Sequence, residues 1–138
     1  MERIVILGAG ESGVGSAILA KKKGFDVFVS DKGTLKDNYR DMLKQHEIPF
    51  EEGMHSEDLI LNASEVIKSP GIHEDNPLVL KIRERGIRVI SEIEFAGRYT
   101  DAKKICITGS NGKTTTTNLI YHMMKKAGLN VAMTGNVG

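Results

Sequence analysis

The apolar run from Arg3 to Leu7 feeds directly into Gly8-Ala9-Gly10-Glu11-Ser12-Gly13. A helical stretch follows through Lys23, then a β-branched and aromatic run from Asp26 to Ser30 that stops at Asp31. This order constrains the fold more than any other feature. A strand covered on both faces reads as an unbroken apolar run, and a glycine turn lets the chain reverse into a helix that packs back over it. The following strand then lies parallel to the first. Lys21-Lys22-Lys23 closes the helix before Gly24, where cations oppose the C-terminal dipole, and is not read as a nucleic-acid patch.

The alternation continues downstream. Asp37 to His46 reads as a helix, Ile48 to Glu51 as a short strand, and Glu65 to Lys68 as a strand halted by Ser69-Pro70-Gly71. Asn76 caps and Pro77 opens a helix that runs to Arg85 before Gly86. Ile87 to Ile90 is the next strand, and Ser91 to Arg98 a short helix. Repeated β-α-β units with short connections predict an α/β fold: a Rossmann-like parallel sheet with helices on both faces.

The pattern changes near the polar segment Tyr99-Thr100-Asp101-Ala102-Lys103-Lys104, which places a domain boundary after residue 97. Residues 98–138 begin a second unit: an apolar strand around Ile105 to Ile107, a glycine loop, a helix, Gly128 and another strand. The sequence stops at Gly138, so this unit is expected to be the truncated start of a P-loop ATPase domain. With so few elements it should lean on the first domain or fray. Cys106 lies in the apolar run and is expected to be a buried structural thiol. As the single cysteine it excludes an internal disulfide and suits a reducing compartment.

Two glycine loops carry the chemistry. Gly8-x-Gly10-x-x-Gly13 after a strand, opening a helix, with Asp31 ending the next strand, is the local context of a dinucleotide fingerprint. On spacing alone an NAD-dependent oxidoreductase domain is one reading, and a tight turn that binds nothing is another. Glu11, a carboxylate inside the loop, and the second loop downstream both weigh against the oxidoreductase. Ser69-Pro70-Gly71-Ile72 stands at the carboxyl end of the fourth strand, where open α/β sheets place ligands.

The downstream loop, Gly109-Ser110-Asn111-Gly112-Lys113-Thr114-Thr115, is a phosphate loop two positions shorter than the common Walker spacing. It points backbone N–H groups and a helix N-terminus at an anion, with Lys113 as point charge and Thr114 as a candidate Mg²⁺ ligand. The hydroxyls of Thr115, Thr116 and Thr117 read as helix-start and packing groups.

Other features exclude classes. His46, His55, His73 and His122 are scattered without zinc-ligand spacing. A net charge of +1 offers no global field for nucleic acid or an anionic membrane, and 40% apolar with 27% charged residues suits a soluble protein. No stretch is long enough to span a bilayer and the N-terminus enters a strand at once, so a cytoplasmic location is expected. No repeat or low-complexity segment occurs.

Taken together, Gly8 to Gly13, Asp31, Ser69 to Ile72, Gly86-Ile87 through Ser91-Glu92-Ile93-Glu94, Ile107 to Thr114 and Gly135-Asn136-Val137-Gly138 resemble the N-terminal part of the Mur ligases, in the family's order and across essentially the whole chain. The Ser-Pro-Gly-Ile and Ile-Ser-Glu-Ile-Glu segments favour the D-glutamate-adding branch. The resemblance implies a cytoplasmic step of peptidoglycan synthesis. ATP, with Mg²⁺, phosphorylates the carboxylate of UDP-MurNAc-L-alanine, and the amine of D-glutamate attacks the acyl phosphate. It assigns Gly10, Glu11, Ser12, Gly13, Asp31, Ser69, Pro70, Gly71 and Asn136 to the UDP-sugar, and Gly109 to Thr115 to the ATP phosphates, with Lys113 and Thr114 catalytic and Thr114 on the metal. The chain alone is then expected to bind the UDP-sugar without ligating, as a monomer with small-molecule partners. A non-catalytic nucleotide-binding module is the remaining alternative.

Overall fold

A computed structural model describes residues 1–135, which divide into two compact units, Met1–Asp101 and a second beginning at Ala102. In the first unit, β1 (Arg3–Leu7), α1 (Glu11–Lys22), β2 (Asp26–Asp31), α2 (Asp37–Gln45), β3 (Phe50–Glu52), α3 (Glu57–Ile60), β4 (Glu65–Lys68), α4 (Pro77–Glu84), β5 (Arg88–Ser91) and α5 (Glu92–Gly97) follow one another. The strands form one sheet in the order β3-β2-β1-β4-β5, and every pairing is parallel. After β3 the chain crosses back over β1 to enter β4, so the strand order reverses beside β1.

The sheet is covered on both faces because Ile4 to Leu7, Val27 to Val29 and Val66-Ile67 present apolar side chains to each side in turn. Ile4 and Ile6 of β1 join Val27 and Val29 of β2 in one core with Val14, Ala17, Leu43 and Phe95 from α1, α2 and α5. Val5 and Leu7 point the other way, into a second core with Phe28, Val66, Ile60 of α3 and Ile82 of α4. Each such Val, Leu, Ile or Phe side chain, fully removed from water, contributes about 1.5–3 kcal/mol. The helix starts agree with local chemistry: Asn76 Oδ1 accepts from the Leu78 N–H at 2.9 Å ahead of Pro77, and Ser91 Oγ accepts from the Glu94 N–H at 3.1 Å. Arg98 and Tyr99 belong with this unit. Arg98 forks onto Glu65 at 2.7 and 2.9 Å, and the Tyr99 ring meets Phe95 edge-on at 5.3 Å.

The second unit departs from expectation. Among its described residues it contains one helix, α6 (Lys113–Lys126), and neither Ile105 to Ile107 nor residues 129–135 form a strand. A strand exists by pairing, and among the described residues no neighbour pairs with either segment. Cys106 is correspondingly exposed, not buried. No residue of α6 is buried either, and Leu119 and Met123 stand 59% and 62% exposed. The helix α3 is an element the sequence reading lacked. Among the described residues no helix is long and apolar enough to cross a membrane.

Candidate nucleotide-binding cleft

Two of the three glycines of the first loop are required by what surrounds them, and the third stands at the cleft. Gly8 has φ +97°, and a Cβ there would stand 2.6 Å from Ser69 Cβ. A Cβ on Gly13 would sit 2.0 Å from the Gly8 carbonyl oxygen, so only glycine lets α1 start this close to β1. Gly10 faces open space and is the N-cap of α1 with no side-chain cap. The first N–H groups of α1 therefore lack a capping side chain, at a spot where backbone can approach a ligand.

The loop is held from β2. Asp31 accepts from the Ala9 N–H at 2.6 Å through Oδ2 and from the Gly33 N–H at 2.7 Å through Oδ1, while the Gly8 N–H donates to the Ser30 carbonyl at 2.9 Å. On the other side, Lys68 at the end of β4 is only 8% exposed. Its ammonium donates to the Ile72 carbonyl at 2.7 Å and the Ser69 carbonyl at 3.3 Å, and pairs with Glu74 at 3.0 Å. That lysine pins both ends of the Ser69-Pro70-Gly71-Ile72 turn.

Between these two supports lies a cleft of about 730 Å³ at the carboxyl ends of the strands, beside the reversal of strand order. Gly10, Asp31, Ser69 and Gly71 line it, together with Lys32, His55, Ile72, His73 and Asp75 to Pro77. The other expected residues sit differently. Pro70 faces a smaller hollow with Lys68 and Glu74. Glu11 is exposed on the first turn of α1, Gly13 is packed against Gly8, and Ser12 Oγ donates to Glu92 Oε1 at 3.1 Å, tying α1 to α5. Asn136 lies outside the described residues.

His55 is the residue the sequence reading passed over. Its Nδ1 is 2.6 Å from Ser30 Oγ, which is 2.7 Å from Glu51 Oε1. Burial lowers the pKa of this imidazole, and the neighbouring Glu51 and Asp31 only partly offset that. Burial raises the Glu51 carboxyl, but hydrogen bonds from Ser56 and Ser30 outweigh it and leave the group below its usual value. Nothing in the spacing of residues 30, 51 and 55 signals the cluster; the β2/β3 register, which sets Ser30 opposite Glu51, makes it.

In the second unit Gly112, at φ +75°, is the N-cap of α6, and Gly109 has φ +148°. The Lys113 ammonium folds back over its own loop onto the Gly109 carbonyl, with the Ser110 carbonyl at 3.5 Å. Ser110, Asn111, Thr114 and Thr115 are exposed around it. Thr117 Oγ1 donates to the Lys113 carbonyl at 2.7 Å, a helix-start hydroxyl as expected.

Residues 3–78 match the family model of the MurD N-terminal domain, and residues 107–138 that of the Mur ligase middle domain. A UDP-N-acetylmuramoylalanine--D-glutamate ligase from Bacteroides thetaiotaomicron is 69% identical over 138 residues, covering all of this chain and 31% of that protein. Its counterpart from Porphyromonas gingivalis is 58% identical over 98% of this chain and 30% of its own length. Among solved structures, a pseudomurein peptide ligase type C from Methanothermus fervidus superposes with a TM-score of 0.64 at 30% identity, over 96% of this chain and 29% of that one. The chain thus spans about a third of the length of the relatives it matches. By its parallel sheet, its glycine-loop cleft and these matches, the chain belongs to the Mur ligases, with a MurD N-terminal domain followed by residues of the Mur ligase middle domain.

Proposed function

We propose that this chain belongs to a cytoplasmic ligase that joins D-glutamate to UDP-MurNAc-L-alanine in peptidoglycan synthesis, using ATP and Mg²⁺. Residues 1–97 would form the UDP-sugar domain and residues 98–138 the opening of the ATPase domain. The observation that carries this reading is the 69% identity, over the whole chain, to a protein of that name. The cleft geometry supports it: the glycine loop, the uncapped N-terminus of α1 and Asp31 stand around one hollow, suited to a diphosphate and its nucleoside.

The division of labour follows from the two loops. Gly10, Glu11, Ser12, Gly13, Asp31, Ser69, Pro70 and Gly71 would bind or shape the UDP-sugar site, with Asn136 completing it. Gly109 to Thr115 would cradle the ATP phosphates. For the transferred phosphoryl group Lys113 supplies positive charge once its ammonium leaves the Gly109 carbonyl. The Thr114 hydroxyl would contribute one ligand to Mg²⁺. Among the described residues no three His, Cys, Asp or Glu side chains group to hold a metal.

Calorimetric titration of the chain with UDP-MurNAc-L-alanine tests the first half, with binding expected in the micromolar range or tighter. No heat from a folded sample rejects it. In the whole ligase, Lys113→Ala should reduce ligation by about a thousandfold and leave UDP-sugar affinity unchanged. Loss of UDP-sugar binding in that variant would show that the loops are not divided in this way.

A further inference from the structure

The segment Ser91-Glu92-Ile93-Glu94 lines no part of the nucleotide cleft, yet it carries an unusual group. Among the described residues the buried charged side chains are Lys68 and Glu92. Lys68 holds the Ser-Pro-Gly turn. Glu92 is 7% exposed, and its Oε1 accepts from Ser12 Oγ at 3.1 Å, across 80 positions of sequence.

The sheet register explains how such distant residues meet. Leu7 pairs with Lys68 and Lys68 with Ser91, so β1, β4 and β5 end level with one another. The glycine loop, the Ser-Pro-Gly turn and Glu92 therefore leave the sheet at the same height. Val14 and Ala17 of α1 share one core with Phe95 of α5, which puts both helices on the same face.

Burying a carboxylate is unfavourable unless a donor meets it, and here the donor belongs to the first turn of α1. The positive end of that helix also favours a negative charge beside it. A carboxylate only accepts, and a serine hydroxyl holds one hydrogen, so the hydrogen given to Glu92 is not available to a ligand. What stays open at this end of α1 is backbone: Gly10 brings no capping side chain and itself lines the cleft.

We propose that Glu92 is a positioning residue that takes the Ser12 hydroxyl, fixes the first turn of α1 behind the glycine loop, and leaves the diphosphate of the nucleotide sugar to backbone N–H groups rather than to the Ser12 side chain. The inference rests on the nucleotide reading of the cleft given above and makes Ser12 a support instead of a ligand contact.

The test is calorimetric titration of the 138-residue chain with UDP, on the wild type, Ser12→Ala, Glu92→Ala, the double variant and Glu92→Gln. Each alanine variant should bind UDP about tenfold more weakly than the wild type, and the double variant no more weakly than either, because both remove one and the same clamp. Glu92→Gln keeps an oxygen that accepts from Ser12 and should restore affinity to within about twofold of the wild type. Losses that multiply in the double variant make Ser12 a ligand contact independent of Glu92 and overturn the assignment. So does unchanged or tighter binding in either single alanine variant, or a glutamine variant as weak as the alanine one. All of these leave the nucleotide cleft standing, whereas a folded wild type that binds no UDP overturns both. If Glu92→Ala does not fold, Glu92→Met, of similar volume and with no oxygen to accept, takes its place in the cycle.

Discussion

The two glycine loops share one local design but differ in what holds them. The first is clamped from both sides: Asp31 grips the Ala9 and Gly33 amides, Ser69 presses on Gly8, and Gly13 lets α1 sit against the Gly8 carbonyl. Around the second, the described contacts are local, chiefly Lys113 on the carbonyls of Gly109 and Ser110 and α6 hydrogen-bonding to itself. A binding loop can thus be written in a dozen residues, but its rigidity comes from strands and side chains far away in sequence.

Paired substitutions at the two loops give the sharpest challenge to this contrast. Gly13→Ala drives a Cβ into backbone at 2.0 Å and should cost about 3 kcal/mol or more in urea unfolding of the first unit. Gly112→Ala meets open space and only the left-handed φ of +75°, so it should cost about 1–2 kcal/mol and leave that transition in place. Equal shifts in the unfolding midpoint would erase the distinction.

A smaller effect separates support from contact. Lys68→Met removes the donor shared by the Ser69 and Ile72 carbonyls and the partner of Glu74, and should destabilise by about 1–3 kcal/mol. Because it frees the turn lining the cleft, UDP affinity measured by calorimetry should fall even at temperatures where the variant is fully folded. Unchanged affinity would mean that the turn keeps its shape without the ammonium.

The smallest effect is in pH. His55 binds its proton less readily when folded than at its ordinary value of 6.5. Below about that pH the unfolded chain takes up a proton that the folded one refuses, so stability should decline as pH falls from 6.5 to the folded pKa and then level off. Above 6.5 the histidine contributes no slope. Urea midpoints at stepped pH should show this shallow decline in the wild type and its loss in His55→Gln. An unchanged slope in that variant would assign the decline to carboxylates such as Glu51, whose lowered pKa gives stability above the usual carboxylate range that is lost as pH falls.

The sequence was most legible where local pattern and final environment coincide. The spans Arg3–Leu7 and Glu65–Lys68 are legible because a parallel strand covered on both faces carries apolar residues at successive positions, here Ile4 to Leu7 and Val66-Ile67. The cap at Asn76-Pro77 was equally local. The four-residue α3 is too short for a helical period to show. The run at Ile105 to Ile107 has the same apolar signature as β1, yet signature alone does not make a strand.

What the sequence determined by itself was the alternating α/β order, the glycine loops and the acid at residue 31, because each depends on neighbours within a few positions. Tertiary structure alone decided that Lys68 would pin the Ser-Pro-Gly turn and that Ser30, Glu51 and His55 would share protons at the cleft. Those pairings depend on strand register and on burial, which bring together groups whose chemistry gives no sign of one another along the chain.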